Sequence, residues 1–197
     1  MRSFEELLAE ARVSHGHLCA GQVLGVRMAM LGCRELGIED PAGDQRLVVF
    51  VEMDRCAADA IQTVTGCRLG RRSLKHIDYG KMAATFVDTA SGEAVRVAAL
   101  AGLRERAVSL RPEASGKDAQ MALYASLPDG DLFVVRRVRV SLPAEDLPGP
   151  PTSRVICERC GEEVSDRREV RVDGAVLCRW CAHDGYYQVV DPPGPSA

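Results

Sequence analysis

The sequence predicts an α+β fold: a mixed, mostly antiparallel sheet packed with helices, followed by a small treble-clef or zinc-ribbon-like four-cysteine domain. Three observations lead there. Apolar residues recur at helical spacing through the first part of the chain. Short β-branched runs bounded by turn residues follow, and two Cys-x-x-Cys pairs lie beyond a proline-rich stretch. With 197 residues, 46% of them apolar, the chain can bury one good core and a small appendage.

Phe4, Leu7, Leu8 and Ala11 fall on one helical face, with Ser3 as N-cap and Glu6 completing a capping box; this helix stops before Gly16. A second helix, from about Ala20 to Leu36, is apolar around most of its circumference, with Arg27 and Arg34 on one narrow polar stripe and Gly37 at its end. Such a helix is buried. Leu47–Val51 reads as a central strand leading through Glu52-Met53-Asp54-Arg55 into Cys56, and Ala57–Val64 as a third helix that Asp54 could cap and Gly66 closes. Met82–Val87 and Ala94–Leu100 form two strands around the turn Thr89-Ala90-Ser91-Gly92. Lys117–Leu127 is helical, with Pro128-Asp129-Gly130 as a stop, and Leu132–Leu142 alternates arginine with valine as a half-buried strand does.

Four prolines and a glycine between residues 143 and 151 mark a semi-rigid linker. The expected organisation is therefore a core over residues 1–142, a Pro-rich linker over 143–152, a four-cysteine finger over 153–190 and a disordered tail over 191–197. A net charge of −3 and 5% aromatic residues argue against a general nucleic-acid binder. The N-terminus lacks a secretory signal, and the most apolar window, 20–36, carries Arg27, Arg34 and Glu35, which argues against a membrane span. Eight cysteines without a signal point to thiolates and metal in the cytoplasm rather than to disulfides.

Cys157-x-x-Cys160 and Cys178-x-x-Cys181, separated by seventeen residues, have the spacing of a closed tetrahedral zinc site, which is structural because no coordination position stays open. Gly161 supplies the tight turn of the first knuckle, and Asp173-Gly174 turns a hairpin between the two. A domain this small needs the metal to fold. Its six basic and seven acidic side chains between residues 154 and 184 favour protein contacts over phosphate.

A second constellation lies near the N-terminus: His15-Gly16-His17-Leu18-Cys19-Ala20-Gly21. Cys19 and Cys56 each stand where a helix begins, and helix N-termini stabilise thiolates. If the two starts converge, His17, Cys19 and Cys56 offer one imidazole and two thiolates, one ligand short of a closed tetrahedron; spacing alone leaves convergence open. His15 either caps or lines the turn. Cys33 reads as a small buried hydrophobe, and on the same base rates Cys67 and His76 read as structural. The one basic cluster, Arg68–His76, is a solvated loop or an anion-binding rim, with Lys81 as a further cation.

His15–Gly21, with Glu52–Gln62, Thr65-Gly66-Cys67-Arg68-Leu69-Gly70 and Asp78–Phe86, resembles the formylmethanofuran dehydrogenase E-subunit family over essentially the whole chain, and many members carry the appended finger. The resemblance implies an α+β core that forms homodimers, with the finger mobile or swapped. It also implies a second transition metal, zinc by preference, on His17, Cys19 and Cys56. Cys19, Cys56 and Lys81 become candidates for chemistry, and His15, Asp59 and Cys67 for supporting the site, Asp59 lying one helical turn after Cys56. This chain departs from the family pattern at Ala20, Arg68 and Arg71-Arg72.

Three functions remain open on this reading. One is an accessory protein that assembles or sulfurates a molybdenum or tungsten oxidoreductase. Another is a stand-alone zinc enzyme activating water or a thiol. The third is a regulator that senses metal or ligand and contacts the transcription machinery through its finger. No nucleophilic serine motif or nucleotide-binding loop selects a reaction.

Overall fold

The computed structural model describes residues 1–110, 112–183 and 185–190. They divide into two compact units, one ending at Ser141 and the other beginning at Leu142; the expected disordered tail lies outside the described residues. Among the described residues no helix is long and apolar enough to cross a membrane.

The first unit is α+β. Its helices are α1 (Phe4–His15), α2 (Ala20–Glu35), α3 (Cys56–Thr65), α4 (Leu103–Leu110), α5 (Gly116–Ser126) and the single turn α6 (Asp129–Leu132). Its strands are β1 (Leu47–Val51), β2 (Leu74–His76), β3 (Ala83–Asp88), β4 (Ala94–Ala99) and β5 (Phe133–Val138). They form one mixed sheet in the order β2-β1-β3-β4-β5, with β1 and β2 parallel and the other pairs antiparallel.

Local chemistry sets the helix ends. Ser3 accepts from the Glu6 N–H while Glu6 accepts from the Ser3 N–H, the reciprocal capping box. Gly16 at φ +91° and Gly66 at φ +67° close α1 and α3 in the left-handed conformation that a Cβ disfavours. Asp54 does not cap α3: Arg55 occupies the N-cap position without a side-chain bond, and Asp54 pairs with that same arginine at 3.7 Å. α5 stops before Pro128 as expected, and Pro128 is also the N-cap of α6. Asp129, in its first turn, accepts from Arg27 at 2.6 Å and from Arg34 at 2.5 Å, so the narrow polar stripe on α2 meets one carboxylate. Arg27 also donates to the Tyr124, Ala125 and Leu127 carbonyls, satisfying the C-terminus of α5.

Close backbone approach positions α2. A Cβ on Gly25 would sit 2.6 Å from Ala57 O and 2.8 Å from Ala57 Cα, so only glycine permits α2 to lie this tightly on α3. Two turns on, a Cβ on Gly32 would enter the Phe86 ring of β3 at 2.2 Å. One face of the sheet, with Leu47, Val49, Val51, Ala84, Phe86, Val95 and Val97, joins α1–α3 and α5 in one core.

Elsewhere the structure adds to the sequence reading. β1 is internal but not central, and the basic stretch after α3 contains β2, an edge strand beside β1, rather than loop alone. β5 is the opposite edge and mostly exposed rather than half-buried. α4 has no sequence signal, because only Leu103 and Ala107 of its eight residues are buried. Glu52, buried at the end of β1, accepts two hydrogen bonds from Arg96 of β4, at 2.6 and 2.7 Å.

The second unit contains β6 (Arg154–Ile156) paired with β7 (Glu163–Ser165), β8 (Val170–Val172) paired with β9 (Ala175–Leu177), and the short helix α7 (Arg179–Ala182). Val172 faces Ala175 across a two-residue turn, and Asp173 and Gly174 have φ of +50° and +89°, as a type I′ hairpin requires. The segment expected to be a linker belongs to this unit. The Asp146 carboxylate accepts from Arg168, the Thr152 N–H donates to Asp166 at 2.9 Å, and Ser153 accepts from the Asp166 and Arg167 N–H groups.

Two measurements test the core. Gly25→Ala is expected to destabilise the fold by about 1–3 kcal/mol, because backbone rather than a side-chain tip must give way; thermal unfolding followed by circular dichroism reads this. The hydrogen bonds from Arg96 hold the Glu52 carboxyl below its ordinary value. Its contribution to stability is therefore present above the unfolded-chain value and is lost as pH falls through the lower folded value. Glu52→Gln is expected to be less stable than the parent at pH 7, with the difference closing below about pH 4 in denaturant titrations.

Candidate metal centres

The finger builds its site from two knuckles. Cys157 directly follows β6, and Gly161, at φ +76°, turns the chain so that its N–H reaches Cys157 O at 2.9 Å. β9 delivers Cys178 as the N-cap of α7, and Cys181 follows one turn later, its N–H 3.3 Å from Cys178 Sγ. The four Sγ atoms all lie within 4.8 Å of one another, with Cys160 and Cys178 3.9 Å apart. Tetrahedral zinc with bonds near 2.3 Å separates its sulfurs by about 3.8 Å, so the set fits that ion. N–H groups of Cys160 and Cys178 hold the Cys157 thiol down to about 6, while burial and the neighbouring sulfurs push Cys181 up to about 12. Four thiolates this close need a cation to share their charge.

The N-terminal site is assembled from three helix ends. α1 stops at His15, Gly16 reverses the chain, His17 follows, and Cys19 is the N-cap of α2. One donor atom from each of His15, His17 and Cys19 lies within 4.8 Å of the other two, and the two imidazoles stand 4.5 Å apart, centroid to centroid. Cys56, the first residue of α3, lies beside Cys19. A Cβ on Gly21 would be 3.2 Å from Cys56 Cβ and 3.8 Å from Cys19 Sγ, so glycine at 21 leaves room for the two thiols to adjoin.

The structure thus brings the expected ligands His17 and Cys19 together. It also gathers His15, expected only to support the site, into the tight cluster, with Cys56 adjoining it. The signal for His15 is present in the sequence: a His-Gly-His placed where a helix ends lets a positive-φ glycine turn both rings to one side. Cys56 also behaves differently from expectation. Burial and hydrogen bonding with Cys19 push its thiol up, outweighing its own backbone N–H, which favours the thiolate.

His15 is largely buried, with 15% of its side chain exposed. Its Nδ1 lies 2.9 Å from Asp59 Oδ2 on α3, and its Nε2 is buried with no hydrogen-bond partner among the described residues.

Other candidates fall elsewhere. Cys67 is a correction: its thiol is buried in the core and donates to Leu47 O at 3.5 Å, at the far end of β1 from Cys56. The Arg68–Arg72 cluster precedes β2, and because β2 runs parallel to β1 it also sits at that far end, away from the His–Cys cluster. Lys81 follows β2, its N–H donating to Glu52 O, which places it at the same end as Cys56; its ammonium lies 5.4 Å over the exposed Tyr79 ring.

Comparison with known proteins gives concordant similarities. A family model described as FmdE, molybdenum formylmethanofuran dehydrogenase operon, matches residues 14–134, and one for the prokaryotic dksA/traR C4-type zinc finger matches residues 151–187. The chain is 35% identical over 207 aligned positions to a probable S-adenosyl-L-methionine-binding protein of Archaeoglobus fulgidus. That alignment covers 93% of the chain and 54% of the relative, so the chain spans about half the relative's length. A crystal structure of a tungsten formylmethanofuran dehydrogenase FmdE-like protein from Syntrophus aciditrophicus superposes with a TM-score of 0.62 at 22% identity. The match covers 95% of this chain and 96% of that one, and shows that the fold is shared.

Removing the finger's metal should unfold one unit only. With a strong zinc chelator, or in Cys160→Ser, the β6–β9 amide resonances are expected to collapse to random-coil shifts while those of β1–β5 persist, as read by NMR.

Proposed function

The chain belongs to the FmdE family, whose model spans more than half its length, and from that premise we propose that it is a metal-binding accessory protein for a molybdenum or tungsten oxidoreductase, acting as a cytoplasmic homodimer. Zinc is structural in the finger, and a second transition metal, zinc by preference, is held by His15, His17 and Cys19 with Cys56 beside them.

One observation supports this reading above the others: the Nε2 of His15 is buried without a partner, in a ring clustered with the donor atoms of His17 and Cys19. A buried nitrogen left unpaired is costly, and a metal bond is one way to satisfy it. Imidazole and thiolate donors suit zinc and also iron, nickel and copper(I). A metal held there would supply Lewis acidity and an anchoring point for a sulfur or oxygen ligand. The chain's own residues do the holding: α1 and α2 fix the imidazoles and Cys19, and α3 presents Cys56 as a second thiol for sulfur handling. Lys81 offers a cation at the same end of the sheet for an anionic group of the partner.

The Archaeoglobus relative favours a second reading, in which S-adenosyl-L-methionine is the ligand.

Metal analysis separates these readings. The parent is expected to carry two metals per chain and the Cys19→Ser, Cys56→Ser double variant one; two metals in the double variant would show that the N-terminal reading is wrong. Isolated from its host, the parent should co-purify with a molybdenum or tungsten oxidoreductase, whereas co-purification with RNA polymerase favours the regulator. Calorimetric titration with S-adenosyl-L-methionine decides the second reading: saturable heat unaffected by the double variant supports it over the metal site.

A further inference from the structure

Resting on the reading of a metal at the N-terminal site, we infer that Asp59 is the positioning residue of that site: it fixes the tautomer and ring orientation of His15 so that Nε2, and not Nδ1, is the donor.

Three features of the structure lead to this assignment. Asp59 Oδ2 lies 2.9 Å from His15 Nδ1, within hydrogen-bond distance, and a carboxylate there accepts the Nδ1 proton. The neutral imidazole so held has its lone pair on Nε2, which is buried and otherwise without a partner among the described residues. One ring nitrogen of His15 lies within 4.8 Å of ligating atoms of His17 and Cys19. A carboxylate bonded to the distal nitrogen of a ligating imidazole is the arrangement that orients metal-binding histidines and raises their basicity.

The fold explains why Asp59 holds this role. His15 is the last residue of α1, and Gly16 frees the chain to leave the helix there, so the ring is not held in place by a continuing helix. Asp59 belongs to the first turn of α3, one turn after Cys56, and α3 is clamped to α2 at Gly25. The carboxylate therefore ties a ring at a helix end to the rigid element that also carries Cys56. Its side chain is 56% exposed, so its removal leaves no cavity in the core and no buried charge unpaired. A loss of metal binding in its variants would therefore not be a loss of folding.

The experiment uses the full chain with zinc loaded on the finger and cobalt(II) titrated as the probe of the second site, alongside NMR of imidazole-¹⁵N-labelled, cobalt-free protein. In the parent, His15 is expected to show a protonated Nδ1 and an unprotonated Nε2. Asp59→Ala is expected to mix the two tautomers and to weaken cobalt binding about 10- to 100-fold, with an unchanged circular dichroism spectrum. Asp59→Asn, which keeps an acceptor oxygen, should restore the tautomer and recover part of the affinity. His15→Ala should lose at least as much, and adding Asp59→Ala to it should cost nothing more, since the carboxylate acts only through that ring. Cobalt affinity unchanged in Asp59→Ala, or a loss that adds to that of His15→Ala, overturns the assignment while leaving the metal reading intact. A parent that takes up no cobalt beyond its finger zinc overturns both.

Discussion

The tight crossing of α2 over α3 is the constraint on which the rest of the first unit depends. Gly25 brings the backbone of one helix against Ala57 of the other, closer than any Cβ would allow. Seven residues on, Gly32 accepts the Phe86 ring and seats the same helix on the sheet. These two absences of a side chain fix where α2 begins relative to α3. Cys19 caps one helix and Cys56 opens the other, so a packing choice deep in the core decides that two thiols meet at the surface. Dispersion and close fit act first, and coordination chemistry inherits their geometry.

The two candidate metal centres therefore differ in what organises them. In the finger, the described hydrophobic core is small, built on Leu177 and two of the cysteines themselves, so the metal supplies cohesion that packing does not. In the first unit, a continuous core of helices and sheet joins α1, α2 and α3, the helices whose ends carry His15, Cys19 and Cys56. A site built on packed helices can release and retake a metal while the protein stays folded. A site that makes its own fold cannot.

Much of this is legible in the sequence, for physical reasons that can be named. Ser3 with Glu6, and the glycines at 16 and 66, are local signals whose energetics do not depend on distant residues, and they mark helix ends correctly. The same holds for Asp173-Gly174 and the paired knuckles. What escapes a sequence reading depends on partners far away in the chain. The three residues of β2 carry no periodicity of their own and become a strand because β1 lies alongside. Glu52 and Arg96 sit 44 positions apart and meet only across the sheet. His15 looks like a turn residue until α3 brings Asp59 within reach of its ring. Asp54 misleads for the opposite reason: its local propensity to cap gives way to Arg55, which takes the N-cap position.

Eight thiols in one short chain pose a problem of selective reactivity, and their depths answer it. Cys33 and Cys67 are buried among apolar neighbours that push both thiols up, Cys33 to about 12. They stay protonated and are poor nucleophiles toward oxidants or electrophiles. The finger's four would be tied up by their ion. The remaining pair, Cys19 and Cys56, is partly open to solvent. Any electrophile that reaches this protein with zinc on the finger alone thus finds its targets narrowed to the place where the fold has put two thiols beside two imidazoles. Burial acts as a filter on sulfur chemistry, leaving the chain's reactive capital at a single address.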